Sequence, residues 1–221
     1  MAITAIIFDV DGVIFDSEKI HVRAWEKIFG RMNLVFPRSV YEAGFGVCDR
    51  EFLLGLKNAG KIPAKADLEA LLEEKVHATL SLLEEGVPVF PSVVATIQGL
   101  NGRRVLAAAS NSDGRFVHGM LRKAGLDRCF QIVLTRKDVA VPKPAPEIYL
   151  TCARKLEVAP QCCLVIEDSV VGVTAARAAG MVCLAVTHTT PAEKLAAADF
   201  IVDKLSVKEV ERVIRRLEDG N

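Results

Sequence analysis

Short apolar runs alternate with longer amphipathic stretches over most of the chain. The runs cover residues 3–8, 104–109, 131–134, 163–166, 182–186 and 200–202. Unbroken apolar runs of this length, bounded by turn residues, are typical of strands that are buried on both faces of a parallel sheet. Helical patterns follow several of them, at residues 92–100, 116–124, 170–179 and 206–217. The alternation predicts an α/β fold with a Rossmann-like parallel sheet at its core.

The alternation is interrupted between the first run and the second. Residues 17–85 contain only helical patterns, and glycine- and proline-rich stretches interrupt or close them at 44–46, 60–63 and 86–91. We therefore predict a helical cap domain at residues 17–86, inserted into a catalytic core that consists of residues 1–16 and 87–221. The two places where the chain crosses between them are candidate hinges.

Two polar residues lie within apolar faces of the predicted cap helices. His21 belongs to the stripe formed by Ile20, Ala24, Trp25 and Ile28. A hydrogen-bonded core histidine and a functional histidine explain this position equally well. Lys75 follows Leu68 by seven positions and lies on the apolar face of the last helix. Its stem could cover that face while the ammonium reaches solvent, or the ammonium could point into a cleft beside the core.

Composition narrows the classes of partner. The 221 residues carry 28 basic and 28 acidic side chains, and 51% are hydrophobic. No basic block or long apolar span points to nucleic acid or to a membrane, and the six cysteines lack metal-type spacing. The first residues lack a cationic leader. We expect a cytoplasmic protein that acts on small molecules as a monomer or a weak dimer.

The first apolar run ends in two carboxylates. Asp9 and Asp11 lie two positions apart and are followed by Gly12. The carboxyl ends of parallel strands form the ligand crevice of an open α/β sheet, and two carboxylates there repel each other unless a cation lies between them. Mg²⁺ is the natural candidate. The alternative is an ordinary Asp-Gly turn that Asp9 caps.

Three later strand ends also carry polar residues. Ser110 and Asn111 follow the second run, where a helix start could bind an anion, although simple N-capping uses the same residue types. Lys143 lies between two prolines that restrict its backbone. Glu167 and Asp168 end the fourth run. All four groups are predicted to meet at one edge of the sheet.

These motifs, in this order, resemble those of the haloacid dehalogenase superfamily of phosphotransferases over essentially the whole chain. The matching strings are Asp9-Val10-Asp11-Gly12-Val13, Ser110-Asn111, Lys143-Pro144 and Glu167-Asp168-Ser169. The resemblance implies that Asp9 is the nucleophile and Asp11 the general acid and base. It also implies that phosphate is bound by Ser110, Lys143 and backbone groups near Asn111, and that Mg²⁺ is held by Asp9, the Asp11 backbone carbonyl, Asp168 and Glu167.

The predicted cap is similar to that of the subgroup containing β-phosphoglucomutase and phosphoglycolate phosphatase. The resemblance matches His21 and Trp25 to a cap histidine and tryptophan, and Lys75 to a cap lysine. It also implies that the loop at residues 46–50, which includes Arg50, faces the leaving group. That loop departs from the family pattern, because Gly46-Val47-Cys48-Asp49-Arg50 is one residue longer than the Gly-Val-Ser-Arg of β-phosphoglucomutase.

The expected function is therefore a Mg²⁺-dependent phosphatase of small phosphorylated metabolites, in particular sugar phosphates, acting through an aspartyl phosphate. A phosphomutase of the β-phosphoglucomutase type is the alternative. The dehalogenases of the superfamily need no Mg²⁺ and lack the carboxylate that Asp11 supplies. A non-catalytic binding module of the same fold would have no reason to keep both acidic strand ends and the lysine.

Overall fold

The computed structural model describes residues 2–219 and contains one six-stranded parallel sheet in the order β3-β2-β1-β4-β5-β6. The strands are β1 Ala5–Phe8, β2 Val105–Ala109, β3 Ile132–Leu134, β4 Cys163–Glu167, β5 Val182–Val186 and β6 Phe200–Val202. The predicted α/β class with a Rossmann-like parallel sheet is confirmed. Met1, Gly220 and Asn221, at the ends of the predicted core ranges, lie outside the described residues.

Helices cover both faces of the sheet and fill the interval between β1 and β2. Those of the interval are α1 Glu18–Arg31, α2 Arg38–Glu42, α3 Asp49–Asn58 and α4 Leu68–Glu84. The others are α5 Pro91–Leu100, α6 Gly114–Lys123, α7 Glu147–Lys155, α8 Val170–Ala178 and α9 Val207–Glu218. None of the helices within residues 2–219 has the length and apolar character needed to cross a membrane.

The apolar strands are buried on both sides by two separate hydrophobic layers. Ile6 and Phe8 of β1 pack with residues of α5, α6 and α9, whereas Ala5 and Ile7 pack with residues of α7 and α8. Successive side chains of a strand point to opposite faces, so a strand between two helical layers must be apolar at every position. This burial explains why the strands read as unbroken apolar runs in the sequence.

The helices between β1 and β2 have a hydrophobic cluster of their own. Its buried members are Val22, Trp25, Ile28, Phe29, Tyr41, Leu53, Leu56 and Ile62. The rings of Trp25 and Phe29 stack with their centroids 5.3 Å apart. This third cluster gives the insertion a hydrophobic core of its own, as expected for a cap domain. The exact division into a cap at residues 17–86 and the remaining core stays a prediction.

Two chain segments connect the helical insertion to the sheet, and they lie side by side. The backbone N–H of Asp16 donates to the carbonyl of Pro88 at 2.9 Å, and that of Phe90 donates to the carbonyl of Ile14 at 3.0 Å. A second contact lies farther away, where Arg115 of α6 donates to both carboxylate oxygens of Glu73 on α4 at 2.6 and 2.8 Å. The insertion is therefore positioned over the carboxyl edge of the sheet.

Candidate active site

Three buried carboxylates converge at the carboxyl ends of the two central strands. Asp9 follows β1, Glu167 is the last residue of β4, and Asp168 follows it; β1 and β4 are paired so that Phe8 lies opposite Ile166. One ligand atom from each of the three carboxylates lies within 4.8 Å of the others. The sheet register thus brings together the two acidic strand ends that the sequence places more than 150 positions apart.

Lys143 is buried against this cluster. Its Nζ lies 2.5 Å from Asp9 Oδ1, 2.7 Å from Glu167 Oε1 and 3.0 Å from the carbonyl oxygen of Ala109. Only 3% of the residue is exposed. The two carboxylates raise the pKa of Lys143 above its usual range although burial alone would lower it, so the lysine carries its positive charge.

One lysine does not balance three buried carboxylates. Burial and repulsion from neighbouring carboxylates raise the pKa values of Asp9 and Asp168 well above the ordinary aspartate range. Burial also disfavours the ionised form of Glu167, but Lys143 and a 2.6 Å hydrogen bond from Tyr149 hold its pKa below the usual value. Excess negative charge on closely spaced oxygen donors fits a hard divalent cation such as Mg²⁺.

Gly12 allows this close approach of backbone and carboxylate. It has a positive φ of 79°, and a Cβ at this position would lie 2.0 Å from Asp168 Oδ2. Any other residue would push Asp168 away or change the turn. The Asp-Gly turn considered in the sequence is therefore present, and it also keeps the loop against the acidic cluster.

The Asp11 carboxylate lies outside the three-carboxylate cluster and accepts four hydrogen bonds. Oδ1 accepts from Ser17 Oγ at 2.6 Å and from His21 Nε2 at 3.1 Å, and Oδ2 accepts from Ser110 Oγ at 2.9 Å and Ser112 Oγ at 2.8 Å. Burial would raise its pKa, but these donors hold the pKa of Asp11 well below the aspartate range. Asp11 is therefore a carboxylate in this arrangement.

A series of hydrogen bonds connects Asp11 of the core to His21, Lys75 and Asp49 of the insertion. Lys75 Nζ lies 2.6 Å from His21 Nδ1 and donates to Asp49 Oδ2 at 2.6 Å. Because an ammonium can only donate, Nδ1 accepts and the His21 proton lies on Nε2, which donates to Asp11. Of the two residues within the apolar helix faces, His21 thus contacts Asp11 at the edge of the sheet, and Lys75 contacts His21 from within the insertion.

The core and the insertion enclose a small cavity. It has a volume of about 60 Å³ and is lined on the core side by Asp9, Asp11, Ser110, Asn111, Ser112, Lys143 and Ser169. The insertion contributes Glu18, His21, Val22, Trp25, Tyr41, Gly44, Phe45, Gly46, Val47, Asp49 and Phe52. This volume corresponds to about two water molecules, so the cavity is closed to a sugar-sized molecule.

Asn111 joins three segments around this cavity. Its side-chain Nδ2 donates to the carbonyl oxygen of Gly46 at 3.0 Å and to that of Lys143 at 3.2 Å, and its Oδ1 accepts from the Lys143 backbone at 3.0 Å. The Asn111 side chain therefore orients the lysine loop and contacts the insertion, and it is not turned freely into the cavity.

Of the four predicted cap residues, His21 and Trp25 line the cavity, whereas Lys75 and Arg50 do not, and Arg50 points away from it. Its guanidinium pairs with Glu69 on an exposed surface, and the side chain lines a separate groove. Asp49 faces the cavity instead. Adjacent residues on a helix point about 100° apart, so a shift of one position is enough to exchange them. In this loop, which is one residue longer than the family pattern, the acidic Asp49 faces the cavity where the basic Arg50 was expected.

Sequence reasoning missed several residues of the site. Ser17 and Ser112 bind Asp11, Tyr149 binds Glu167, and Thr189 contacts Asp168 through its hydroxyl. Glu18 also lines the cavity; burial and repulsion from Asp11 raise its pKa to about 8. Ser17 and Ser112 could have been found from their closeness to Asp11 and Ser110 in the sequence, whereas Tyr149 and Thr189 carry no local signal.

These features define an α/β protein with a cation-competent acidic centre at the carboxyl edge of a parallel sheet. A family model of haloacid dehalogenase-like hydrolases matches residues 3–180. The chain belongs to this family.

Relatives with known names are similar over most of the chain. Fructose-1-phosphate phosphatase YqaB of Escherichia coli is 34% identical over 176 residues, which cover 80% of this chain and 92% of that protein. β-Phosphoglucomutase of Bacillus subtilis is 28% identical, with 91% and 90% covered. The crystal structure of β-phosphoglucomutase from Clostridium difficile has a TM-score of 0.88 at 25% identity, with 99% and 100% covered.

Proposed function

We propose that the protein is a Mg²⁺-dependent phosphatase of small phosphorylated metabolites, in particular sugar monophosphates, and that it acts through a phosphoryl group carried on Asp9. The observation that carries this proposal is the arrangement of Asp9 and Asp11 on one closed cavity with Lys143 bonded to Asp9. Family membership and the similarity to a fructose-1-phosphate phosphatase support it. The cytoplasmic location stays a prediction.

Asp9 is the proposed nucleophile. One of its carboxylate oxygens attacks the phosphorus atom, a bond forms between them, and the bond from phosphorus to the sugar oxygen breaks. Attack of an anion on a phosphate dianion requires that charge be neutralised first, and Lys143 at 2.5 Å from Asp9 supplies one positive charge. Ser110 and the backbone near Asn111 are the proposed ligands of the remaining phosphoryl oxygens.

Asp11 is the proposed acid and base. It gives a proton to the departing sugar oxygen, and it later takes a proton from the water that attacks the phosphorus atom and releases Asp9. The hydroxyls of Ser17, Ser110 and Ser112 can rotate, so that they donate to the carboxylate and accept from the acid. The four hydrogen-bond donors stabilise the carboxylate, which is the base form of Asp11. Protonation of Asp11 before the first step must overcome this stabilisation.

The acidic cluster is the proposed metal site. Asp9, Asp168 and the backbone carbonyl of Asp11 would hold Mg²⁺, with Glu167 as a further direct or water-mediated ligand. When bound, Mg²⁺ supplies positive charge that offsets the repulsion between the carboxylates and the phosphate. Because Lys143 alone leaves excess negative charge in the cluster, the site needs a cation for full neutralisation.

Residues 17–86 are proposed to act as a cap that opens and closes. Ligand cavities for small molecules commonly have volumes of about 300–1,000 Å³. The observed cavity of about 60 Å³ must therefore enlarge before a sugar phosphate enters. The paired segments near Asp16 and Pro88 are the proposed hinge, and closure would exclude bulk water while the phosphoryl group is transferred.

The proposal is tested by release of inorganic phosphate from a panel of sugar phosphates and from p-nitrophenyl phosphate, with and without Mg²⁺. We expect Mg²⁺-dependent release that Asp9→Asn abolishes while its circular dichroism spectrum stays that of the wild type. Release that survives in Asp9→Asn, or that ignores Mg²⁺ and chelator, would contradict the proposal.

A phosphomutase of the β-phosphoglucomutase type is the second candidate. The position of His21 at the cavity and its hydrogen bond with Lys75 favour it, because the resemblance matches both residues to that subgroup. The similarity to β-phosphoglucomutase of Bacillus subtilis supports the same reading. Incubation with β-glucose 1-phosphate and a trace of the 1,6-bisphosphate separates the two: formation of glucose 6-phosphate without comparable free phosphate would favour the mutase.

A further inference from the structure

Asp49 determines the charge of the wall that faces the leaving group. Lys75 is buried at the base of this wall, and its ammonium is bonded to Asp49 Oδ2 at 2.6 Å. Asp49 itself lines the cavity, whereas Lys75 does not. The pair is therefore close to neutral, and the part of it that a ligand meets first is the carboxylate.

The other residues of this wall add no positive charge. The insertion contributes two acidic side chains, Glu18 and Asp49, to the cavity lining, and neither lysine nor arginine from it is among the described lining residues. The ring of His21 carries its proton on Nε2, bonded to Asp11, and accepts from Lys75 on Nδ1. Arg50 is turned away and paired with Glu69. All of the cationic charge in the cavity lining belongs to Lys143, at the phosphoryl end.

The remaining lining is suited to an uncharged polyol. Trp25, Tyr41, Phe45 and Phe52 present aromatic rings, which pack against the C–H faces of a sugar. Carboxylates accept hydrogen bonds from hydroxyl groups, and they repel a second phosphate. Within the function proposed above, on which this inference rests, we propose that Asp49 is a specificity-determining residue: by masking Lys75 it restricts the enzyme to monophosphates with an uncharged polyol leaving group.

The charge of this wall also affects whether the protein can act as a phosphatase or as a mutase. A mutase that moves a phosphoryl group between two hydroxyls of one sugar through a phosphoenzyme must pass through a bisphosphate, whose second phosphate then occupies the leaving-group end. The carboxylate of Asp49 disfavours a dianion at that position. The charge of the wall is thus a physical reason for hydrolysis of monophosphates.

The test compares the specificity constants for fructose 1-phosphate and fructose 1,6-bisphosphate in the wild type and in Asp49→Asn. We expect the wild type to prefer the monophosphate by about tenfold or more, and Asp49→Asn to raise kcat/KM for the bisphosphate by about tenfold, mainly through a lower KM. Asp49→Glu, which keeps the charge, should retain the wild-type ratio. The double variant Asp49→Asn/Lys75→Met, which removes both charges, should lose the gain because the freed ammonium is its cause.

Glu69→Gln is the matched control. It removes an acidic partner from Arg50 in the neighbouring groove, so a cation is freed outside the cavity and the selectivity ratio should change by less than about twofold. Calorimetric titration of both sugar phosphates into the Asp9→Asn protein, with Asp49 intact and with Asp49→Asn added, gives the corresponding ratio of binding affinities without turnover.

The outcomes separate the two proposals. Absence of Mg²⁺-dependent phosphate release from either compound would contradict the proposed function, while the calorimetric ratio still tests Asp49. An unchanged ratio in Asp49→Asn, or an equal gain in the double variant, would overturn the inference about Asp49 and leave the phosphatase proposal intact.

Discussion

The core side and the cap side of the cavity are held in place in different ways. On the core side, Asp9, Glu167 and Asp168 follow or end strands, and Lys143 lies in the loop before α7, where Asn111 holds its backbone; each of the four is at most 6% exposed. The positions of the three carboxylates follow from strand register. On the cap side, Asp49 and Arg50 begin α3, and Asp49 lines the cavity whereas Arg50 does not. The core therefore fixes the chemistry, and the cap can change specificity at low structural cost.

The two sides of the cavity also differ in how completely their charged groups are paired. The core concentrates three carboxylates around one lysine and leaves excess negative charge for a cation to balance. On the cap side, Lys75 is paired one-to-one with Asp49, and Arg50 with Glu69. Substitutions in the core should therefore abolish catalysis or unfold the protein, and substitutions in the cap should redistribute activity among substrates.

After the loss of activity expected for Asp9→Asn, replacement of the proposed acid and base has the next largest expected effect on catalysis. Asp11→Asn should lower kcat on sugar phosphates by about 10²- to 10⁴-fold, because a sugar alkoxide leaves slowly without a proton. Steady-state phosphate release measures it, with Asp203→Asn, the same change at an exposed position after β6, as the control. A loss of less than about fivefold would place the acid elsewhere.

Replacement of Lys143 tests whether the buried ion pairs of the core contribute more to stability than the ion pair of the cap. Lys143→Met leaves buried Asp9 and Glu167 without their cationic partner and should lower the free energy of unfolding by about 3–5 kcal/mol, with partial recovery in Mg²⁺. Lys75→Met should cost less, because its partner Asp49 is partly exposed and can be solvated. Urea titrations of both variants measure the difference, and equal losses would contradict the distinction between the two sides.

The raised pKa values predict how Mg²⁺ binding depends on pH. Asp9 and Asp168 have pKa values above the ordinary range, so they hold protons at a pH where an exposed aspartate has none. Mg²⁺ must displace these protons, and its affinity should therefore rise with pH, by up to about tenfold per unit for each proton displaced, until both groups are ionised. Calorimetric Mg²⁺ titrations from pH 5 to 8 measure the slope. A Mg²⁺ affinity that does not change with pH would show that Asp9 and Asp168 are already ionised over this range.

The smallest effect is expected at Arg50. Because its guanidinium pairs with Glu69 outside the cavity, Arg50→Ala should change kcat/KM for a sugar monophosphate by less than about twofold. Measurement beside Asp49→Asn compares two neighbouring residues of one helix. A loss of tenfold in Arg50→Ala would mean that the arginine turns toward the substrate when the cap opens.

The sequence allowed the core side to be predicted in some detail. Strand ends are marked by an abrupt change from apolar to acidic or hydroxyl residues, and parallel topology brings such ends to one edge, so Asp9, Ser110, Lys143 and Asp168 could be placed together before any coordinates. The burial of the strands between two helical layers also follows from the continuous apolar runs, whereas the strand order does not.

The cap side could be predicted only in part. The position of His21 within an apolar helix face indicated its inward direction, since a helical period is regular, whereas the sequence left open whether the Lys75 ammonium reaches solvent or the cleft. The pairing of Lys75 with Asp49 joins residues 26 positions apart, and that of Arg50 with Glu69 joins residues 19 positions apart. Neither ion pair produces a periodic pattern in the sequence from which it could be predicted. The same holds for Tyr149, a buried helix residue whose hydroxyl reaches Glu167.

The most direct test of the account is the reaction of Asp11→Asn with p-nitrophenyl phosphate in Mg²⁺. Nitrophenolate leaves without protonation, so Asp9 should still take the phosphoryl group, and hydrolysis should then stop because the base is missing. We predict a rapid burst of one nitrophenolate per protein molecule and a phosphorylated peptide, identified by mass spectrometry, with the modification on Asp9. Steady release without a burst, or a phosphoryl group on another residue, would contradict the proposed role of Asp9.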